Sequence, residues 1–395
     1  MAEQTTDPPV LGVGMVGYAF MGAAHSHAWR TAPHVFDLPL RPAMAALCGR
    51  NEAAVRAAAD RLGWAATETD WRALVKRDDV QLVDVCTPGD GHAEVAIAAL
   101  EAGKHVLCEK PLANTLDEAE AMAAAADRAA ARGVRAMTGF NYRRVPAIAL
   151  ARQLVTDGRI GAIRHVRASY RQDWLVDPES PLTWRLQRER AGSGALGDLG
   201  AHIVDLAQYL TGELIAGVSA ATATFVPERP LEGGGGSGPV TVDDAAVFTA
   251  RLASGALASF EATRFATGRK NQLRIELNGE RGSLAFDLER LNELEFCDRN
   301  GDPAGFQTIL VTEPGHPYLS AWWPPGHVLG WEHTFTHEVR DLVTAIATGT
   351  EPAPSFRDGL QVQRVLAAVE QSATRESAWT PVDIADAVVA DPREA

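Results

Sequence analysis

The chain has 395 residues, 46% hydrophobic and 22% charged, a globular composition that at roughly 150 residues per domain leaves room for two unequal domains. With 37 basic against 51 acidic residues the net charge is −14, and no cluster of Lys and Arg offsets it, so nucleic acid and anionic membranes are excluded as partners. Cys48, Cys86, Cys108 and Cys297 stand far apart without a CxxC pair, which fits reduced core thiols better than disulfides or zinc. The N-terminus MAEQTTDPPV carries no basic-then-apolar leader, and no apolar run of ~18 uncharged residues occurs, so a cytoplasmic protein is expected.

From Val10 to about Phe140 short apolar runs alternate with Ala-rich helical patterns. Strands are expected at Val10–Val16, Ala43–Cys48, Leu82–Cys86, His105–Cys108 and Val134–Thr138, and helices at Glu52–Leu62, Ala93–Ala102 and Leu116–Arg132. That alternation predicts an α/β fold, a doubly wound parallel Rossmann sheet over residues 1–140.

After residue 140 the texture changes. Helical segments at Pro146–Thr156 and Leu199–Leu210 precede strand candidates Ala246–Leu252, Ala256–Thr263, Gln272–Asn278, Ser283–Leu288 and Glu293–Cys297, joined by tight Gly turns. Residues 141–395 are therefore expected to form an α+β domain with a large open, mainly antiparallel sheet, whose free face would serve a homodimer or homotetramer. VPERPLEGGGGSGPV, residues 226–240, is too rich in Gly and Pro for regular structure and is expected to be a surface loop. A last amphipathic helix is expected at Phe356–Ala373.

Two glycine registers overlap in GVGMVGYAFMG. The literal GxGxxG, at Gly12, Gly14 and Gly17, leaves only Val10–Leu11 as a preceding strand after Pro8-Pro9, which is too short. In the second register, Gly17, Ala19 and Gly22 follow a full strand and open a helix running from Phe20 to about Trp29. The turn glycine and the packing glycine are present, and Ala19 adds one methyl where a pyrophosphate would approach the helix N-terminus. At the end of the second strand stand Cys48, Gly49, Arg50 and Asn51, with no acid for a ribose 2′-hydroxyl, so the cofactor is NAD or NADP with a lean to NADP through Arg50.

Right after the strand His105–Cys108 the sequence reads CEKPLA, and 88 residues past Lys110 it reads GALGDLGAHIVDL. These motifs, with Thr87-Pro88, His92 and Asn141-Tyr142-Arg143, resemble the Gfo/Idh/MocA family of sugar and cyclitol oxidoreductases. The likeness runs from Val10 to the last helix, and AFMGAAHS, GFNYRRVPA, DWLVDPESPLTWR and PVTVDDA look like its branch of levoglucosan dehydrogenases, which oxidise C3 of an anhydro-sugar. It implies that Gly17, Ala19, Phe20, Met21, Gly22, Arg50, Thr87, Pro88, His92, Glu109 and Lys110 line the cofactor, and that a cis peptide precedes Pro111.

The residues support the same chemistry physically. Leu199, Ile203, Leu206 and Leu210 make one apolar stripe, and Asp198, His202 and Asp205 step along another face, placing Asp198 and His202 four apart at the helix start. Oxidising a secondary alcohol requires its hydroxyl proton to leave, which suits His202 as general base, with Asp198 orienting the diol and Lys110 stabilising alkoxide character. Singly, each has a structural reading: Asp198 as an N-cap, His202 as a buried histidine, Lys110 as a solvated charge. Tyr142, Arg143, Asp173, Trp184 and Arg185 are expected to join Asp198 and His202 in contacting a sugar, although Trp184 also reads as core and Arg185 as an ion-pair partner. His25 with His27, and His333 with His337, have ligand-like spacing but no third ligand, so no metal is expected. The leading function is an NAD(P)-dependent dehydrogenase acting on a ring hydroxyl, expected at C3, of a sugar, an anhydro-sugar such as levoglucosan, or a glycoside. The alternatives are an NAD-dependent glycosidase working by transient C3 oxidation and elimination, an inositol dehydrogenase, and a non-catalytic sensor of bound dinucleotide.

Overall fold

The computed structural model describes residues 8–302 and 304–384; most of the N-terminal stretch MAEQTTDPPV, Met1–Asp7, lies outside them. Contacts divide the chain into two units. Of the described residues, the first takes in those up to Glu109, Glu120–Asn141 and Gly330–Phe356; the second takes in Lys110–Ala119, Tyr142–Leu329 and those from Arg357 to 384.

In the first unit β1 (Val10–Val16), β2 (Arg41–Cys48), β3 (Ala66–Glu68), β4 (Leu82–Val85), β5 (His105–Glu109) and β6 (Ala136–Gly139) form a parallel sheet in the order β3-β2-β1-β4-β5-β6. The order reverses between β1 and β4, where such sheets bind ligands beyond their strand ends. The intervening helices are α1 (Phe20–Val35), α2 (Glu52–Leu62), α3 (Trp71–Val75), α4 (His92–Glu101) and α5 (Leu116–Ala130). The Asn51 side chain caps α2 by accepting from Ala54 N at 3.0 Å, and Gly63 ends it at φ +86°. α1 outruns the expected Trp29 and continues through Pro33, because Ala28, Trp29 and Ala32 are all buried and Pro33 costs only one hydrogen bond in the last turn. The helix His333–Thr348, unforeseen in the sequence, buries Phe335, Val339, Leu342 and Val343 in the same core as Trp29, Val55 and Leu47.

The second unit contains α6 (Pro146–Thr156), β7 (Ile163–Arg171), α7 (Arg188–Ala191) and α8 (Ala201–Thr211), then β8 (Ile215–Ala223), β9 (Glu228–Pro230), β10 (Ser237–Pro239), β11 (Ala245–Leu252), β12 (Leu257–Thr263), β13 (Gln272–Gly279), β14 (Gly282–Asp287), β15 (Glu293–Asp298) and β16 (Gln307–Leu310). Counting His333–Thr348 as α9, the last elements are α10 (Phe356–Thr374) and β17 (Thr380–Pro381). Nine strands make one sheet, β16-β15-β14-β13-β7-β12-β11-β8-β17, in which β7 and β12 run parallel and the other neighbours antiparallel. Along β11, Ala246, Phe248, Ala250 and Leu252 are buried while Val247 is 56% exposed, the alternation of a sheet covered on one face.

Residues 226–240 are not an irregular loop. β9 and β10 pair as an antiparallel hairpin, Ser237 opposite Pro230 and Pro239 opposite Glu228, with Gly233–Gly236 at positive φ closing the turn. Arg229 anchors it from a fully buried position, donating to the carbonyls of Asp177, Ser180 and Leu175 at 2.7, 3.3 and 2.6 Å. The helix expected from Leu199 begins earlier, as a π-helical turn over Leu196–Gly200 that leads into α8. Among the described residues no helix is long and apolar enough to cross a membrane.

Candidate active site

β1 ends at Val16, and Gly17 turns the chain at φ +104°, where an added Cβ would sit 2.6 Å from the Cys86 carbonyl oxygen. A side chain there is strained twice over. Gly22 packs on that turn from the first coil of α1, its Cβ position 2.2 Å from the Gly17 carbonyl. Ala19 stands at the N-cap without a side-chain bond, and no acid occupies the first turn, which leaves N–H groups and the positive dipole end for an anion. Gly12 and Gly14 serve packing instead, holding β1 against the Asp79 carbonyl and the Leu74 side chain.

Just past β4 the Thr87 Oγ1 is buried without a hydrogen bond, and the His92 Nε2 donates to the Thr87 carbonyl at 3.0 Å, tying the Thr87-Pro88 turn to the start of α4. Met21 lies half-buried on the core. Phe20, 65% exposed, stacks on Trp331 with centroids 5.5 Å apart and rings inclined by 11°. Arg50 is exposed just past β2. A glycine cradle that any Cβ would fill, unclaimed N–H groups and an orphaned hydroxyl at neighbouring strand ends fit a dinucleotide pyrophosphate.

Beneath these strand ends lies a buried charge cluster. The His25 Nδ1 is 3.0 Å from both Asp84 oxygens and its Nε2 is 3.0 Å from Glu109 Oε1; Asp84 also accepts from Trp29 Nε1 at 2.7 Å and from the Cys86 thiol at 3.4 Å. Burial works most strongly against charge on His25, but Asp84 and Cys86 together outweigh it and the pKa is raised well above the usual histidine value. His25 is thus held as an imidazolium whose two N–H groups face carboxylates. Its sequence neighbour in the ligand-like pair, His27, is exposed, and His337 is fully buried against Phe36 while His333 Nδ1 accepts from Gly330 N at 3.0 Å. All four cysteines are free; burial, then Asp70 and Glu68, push the Cys48 thiol up to about 12, so it is a protonated core residue.

Lys110 packs with the second unit and not, as expected, with the nucleotide domain; the Lys110–Pro111 peptide is cis. Its Nζ donates to the Asp198 carbonyl at 2.9 Å and lies 3.5 Å from Asp198 Oδ1. Asp198 is therefore an ion-pair partner in the first turn of its helix and does not cap it; Ala195 holds the N-cap position. The turn is fixed from outside, by the Asp243 carboxylate accepting from Gly194 N at 2.7 Å and Leu196 N at 2.8 Å. Gly194 must be glycine here, since its Cβ would lie 1.7 Å from the Asp243 carbonyl.

His202 follows on α8, buried, with the Tyr142 and Tyr170 rings at 4.6 and 5.7 Å between centroids. The Tyr142 hydroxyl donates to that of Tyr170 at 2.9 Å, which donates to Asn271 Oδ1 at 2.7 Å, an oxygen that also accepts from Gln172 Nε2 at 2.6 Å. Burial and then the Lys110 ammonium hold His202 well below the usual histidine pKa, so it is neutral near pH 7. Burial would raise the Asp198 carboxyl, but Lys110, Arg264 and Arg185 together hold it below the usual carboxylate range. An ionised carboxylate, an ammonium and a neutral imidazole are gathered at one helix start, the equipment for taking a proton from an alcohol while steadying the oxygen it leaves.

The other expected sugar contacts divide. Arg185 stacks over the Trp184 ring at 4.5 Å, both side chains half-buried. Asp173 faces away into a turn, accepting from Lys270 Nζ at 2.8 Å and Gly268 N at 2.9 Å. Arg143 is committed to a buried pair with Asp205, Nε to Oδ2 at 2.9 Å and Nη2 to Oδ1 at 2.5 Å, and reaches Asp358 at 3.2 Å. Sequence reasoning missed Tyr170, Asn271, Gln172 and Arg264. Only Tyr170 left a trace, in the alternation of IRHVRASYR, whose Val166, Ala168 and Tyr170 point inward.

A parallel sheet in this order with this cradle defines a dinucleotide-binding oxidoreductase. An oxidoreductase-family model with an NAD-binding Rossmann fold matches residues 11–140, and a GFO/IDH/MocA C-terminal domain model matches residues 148–285. The chain belongs to the GFO/IDH/MocA family of oxidoreductases. It is 43% identical over 388 residues to the levoglucosan dehydrogenase of Pseudarthrobacter phenanthrenivorans, covering 94% of this chain and 98% of that protein. Among solved structures, an oxidoreductase domain protein from Kribbella flavida is 68% identical with a TM-score of 0.93, covering 95% of this chain and 100% of that one. A levoglucosan dehydrogenase in complex with NADH and levoglucosan is 43% identical with a TM-score of 0.90, covering 94% and 99%.

Proposed function

We propose that this protein is an NAD(P)-dependent dehydrogenase that oxidises a ring secondary hydroxyl, at C3, of levoglucosan or a closely similar sugar, anhydro-sugar or glycoside. The observation that carries this reading is the Lys110–Asp198 pair beside a neutral, buried His202. The likeness to a levoglucosan dehydrogenase seen with its sugar supports the choice of substrate.

In this reading the Gly17–Gly22 turn, Phe20, Met21, Arg50, Thr87, Pro88, His92 and Glu109 hold the dinucleotide, whose nicotinamide, when bound, accepts a hydride. His202 takes the hydroxyl proton as the C–H bond at the same carbon breaks and the carbonyl forms. Asp198, kept ionised, accepts a hydrogen bond from the substrate diol and fixes which hydroxyl meets His202. Lys110 donates to the oxygen as negative charge builds on it. Trp184 and Arg185 offer a stacked plane and a fork of donors to the sugar. Arg143 and Asp173, spent on Asp205 and Lys270, act on the substrate only through the shape of the site.

The family fold binds NAD, and NADP is the proposed alternative. NADH complexes of the relatives support NAD, and the acid-free end of β2 with exposed Arg50 supports NADP. Arg50→Asp is expected to lower kcat/KM for NADP+ by about tenfold or more while leaving NAD+ within about twofold, since the acid repels a 2′-phosphate and can bind a 2′-hydroxyl. Steady-state kinetics with each cofactor reads the difference. The protein is further proposed to work in the cytoplasm as a homodimer or homotetramer through the outer face of the nine-stranded sheet, where Val247 and Leu257 are 56% and 49% exposed.

The test is the near-ultraviolet absorbance of reduced nicotinamide with purified protein, NAD+ or NADP+, and levoglucosan, glucose, myo-inositol and an aryl glucoside in turn. Reduction with levoglucosan is expected. Release of the aryl group without net cofactor reduction would instead make the protein an eliminating glycosidase.

A further inference from the structure

Arg264 follows β12 and is 1% exposed, deeper than an unpaired guanidinium tolerates. Its backbone N–H donates to the Asp244 carbonyl at 3.1 Å and its Nη2 to the Asp243 carbonyl at 3.0 Å, while its Nε has no hydrogen-bond acceptor. The guanidinium carbon lies 5.5 Å from the ring of Trp174, which is 42% exposed. The position 2.8 Å from Nη2 that a Cβ on Gly194 would take shows how closely the guanidinium abuts the turn ahead of Asp198.

We propose that Arg264 is a positioning residue for the Asp198–His202 helix: its guanidinium holds Asp243, Asp243 fixes the first turn of that helix, and its charge offsets the carboxylates gathered there. The links are short and continuous. Nη2 fixes the Asp243 carbonyl, which also accepts from Ala195 N at 3.1 Å; the Asp243 carboxylate takes Gly194 N and Leu196 N; and the Gly194 carbonyl accepts from Asp198 N at 3.0 Å. Burial outweighs the rest and lowers the Arg264 pKa, and Asp198, Asp243 and Asp244 offset part of that cost. The charged or titratable groups facing Asp198 are Lys110 from the segment after β5, Arg185 from the turn before α7, Arg264 from the end of β12, and Tyr170 from β7. Lys110 holds the Asp198 carbonyl directly, whereas Arg264 acts on the helix start through Asp243.

The inference rests on the catalytic reading of Asp198 and His202, so Asp198→Asn is measured in parallel. Arg264→Gln and Arg264→Lys are compared with the parent for kcat/KM against pH with levoglucosan and NAD+, for NADH affinity by fluorescence, and for thermal midpoint. Arg264→Gln is expected to lower kcat/KM about tenfold or more and to move its acid limb, which protonation of either Asp198 or His202 sets, to higher pH, because Asp198 then protonates more easily; NADH affinity stays within about twofold. Arg264→Lys keeps the charge and loses the fork, so the acid limb stays in place while kcat/KM falls a few-fold. Parent-like kcat/KM and acid limb in Arg264→Gln, with Asp198→Asn inactive, would overturn the inference alone; an active Asp198→Asn would overturn the catalytic reading beneath it. If the Gln variant does not fold, the Lys variant decides: full activity in it contradicts a role for the fork, and reduced activity with an unmoved limb supports it.

Discussion

His202→Ala is expected to lower kcat/KM by ~10²- to 10⁴-fold, the usual worth of a general base, while NADH affinity stays unchanged. The imidazole belongs to α8 in the second unit, whereas the glycine cradle is built from β1 and α1 in the first, so the two measurements separate catalysis from cofactor binding. The pH profile adds a signed expectation. His202 must be neutral to act, and burial followed by Lys110 holds its pKa well below 6.5, so wild-type kcat/KM should remain level through neutrality and fall only in acid. Replacing Lys110 by Met removes the ammonium that helps depress the imidazole, and the acid limb should move up in pH as turnover falls. A limb that does not move in Lys110→Met would mean that Lys110 does not act on the base.

The second large effect is one of stability and lies outside the reacting centre. His25→Gln leaves Asp84, fully buried, and Glu109, 5% exposed, without the cation between them, and loss of one partner from a buried ionic cluster costs about 3–5 kcal/mol. Denaturant unfolding of the variant should show it directly. Because the His25 pKa is raised in the folded protein, the folded state holds its proton where the unfolded state has released it. The stabilisation is complete below the unfolded value of about 6.5 and is lost as pH rises through the folded value, so wild-type stability should decline on the alkaline side. That part of the slope should vanish in His25→Gln. The double variant His25→Gln/Asp84→Asn is expected to recover part of the loss, since it removes one stranded charge.

Much of the fold was legible from period and punctuation. The strand Val10–Val16 and the helices Glu52–Leu62 and Pro146–Thr156 lie where apolar spacing and turn residues put them. Choosing the Gly17–Gly22 register needed only the length of the strand before it, and the structure gives Gly12 and Gly14 a packing role. The misses share a cause in long-range packing. β7 is paired on both sides, by β12 and β13, so its Arg- and His-rich outer positions are tolerated for reasons no local window contains. The helix His333–Thr348 repeats apolar residues at 335, 339, 342 and 343, but Thr and Val weaken the local signal, and nothing local says that it returns to the first unit's core. The hairpin at 226–240 was hidden by its glycines, which close the turn, while the pairing is secured by a buried Arg229. Asp198, His202 and Lys110 were visible as motifs. Tyr170, Asn271 and Arg264 were not, because they reach the same helix start from strands and turns distant in sequence.

The most direct measurement is turnover of levoglucosan carrying deuterium at C3, followed by mass analysis of the reduced nicotinamide. Transfer of the label into the cofactor, with a primary isotope effect on kcat/KM and a 3-keto sugar as product, is the predicted result. Deuterium retained in a sugar product, or bond cleavage without net cofactor reduction, would contradict oxidation at C3 by a dehydrogenase.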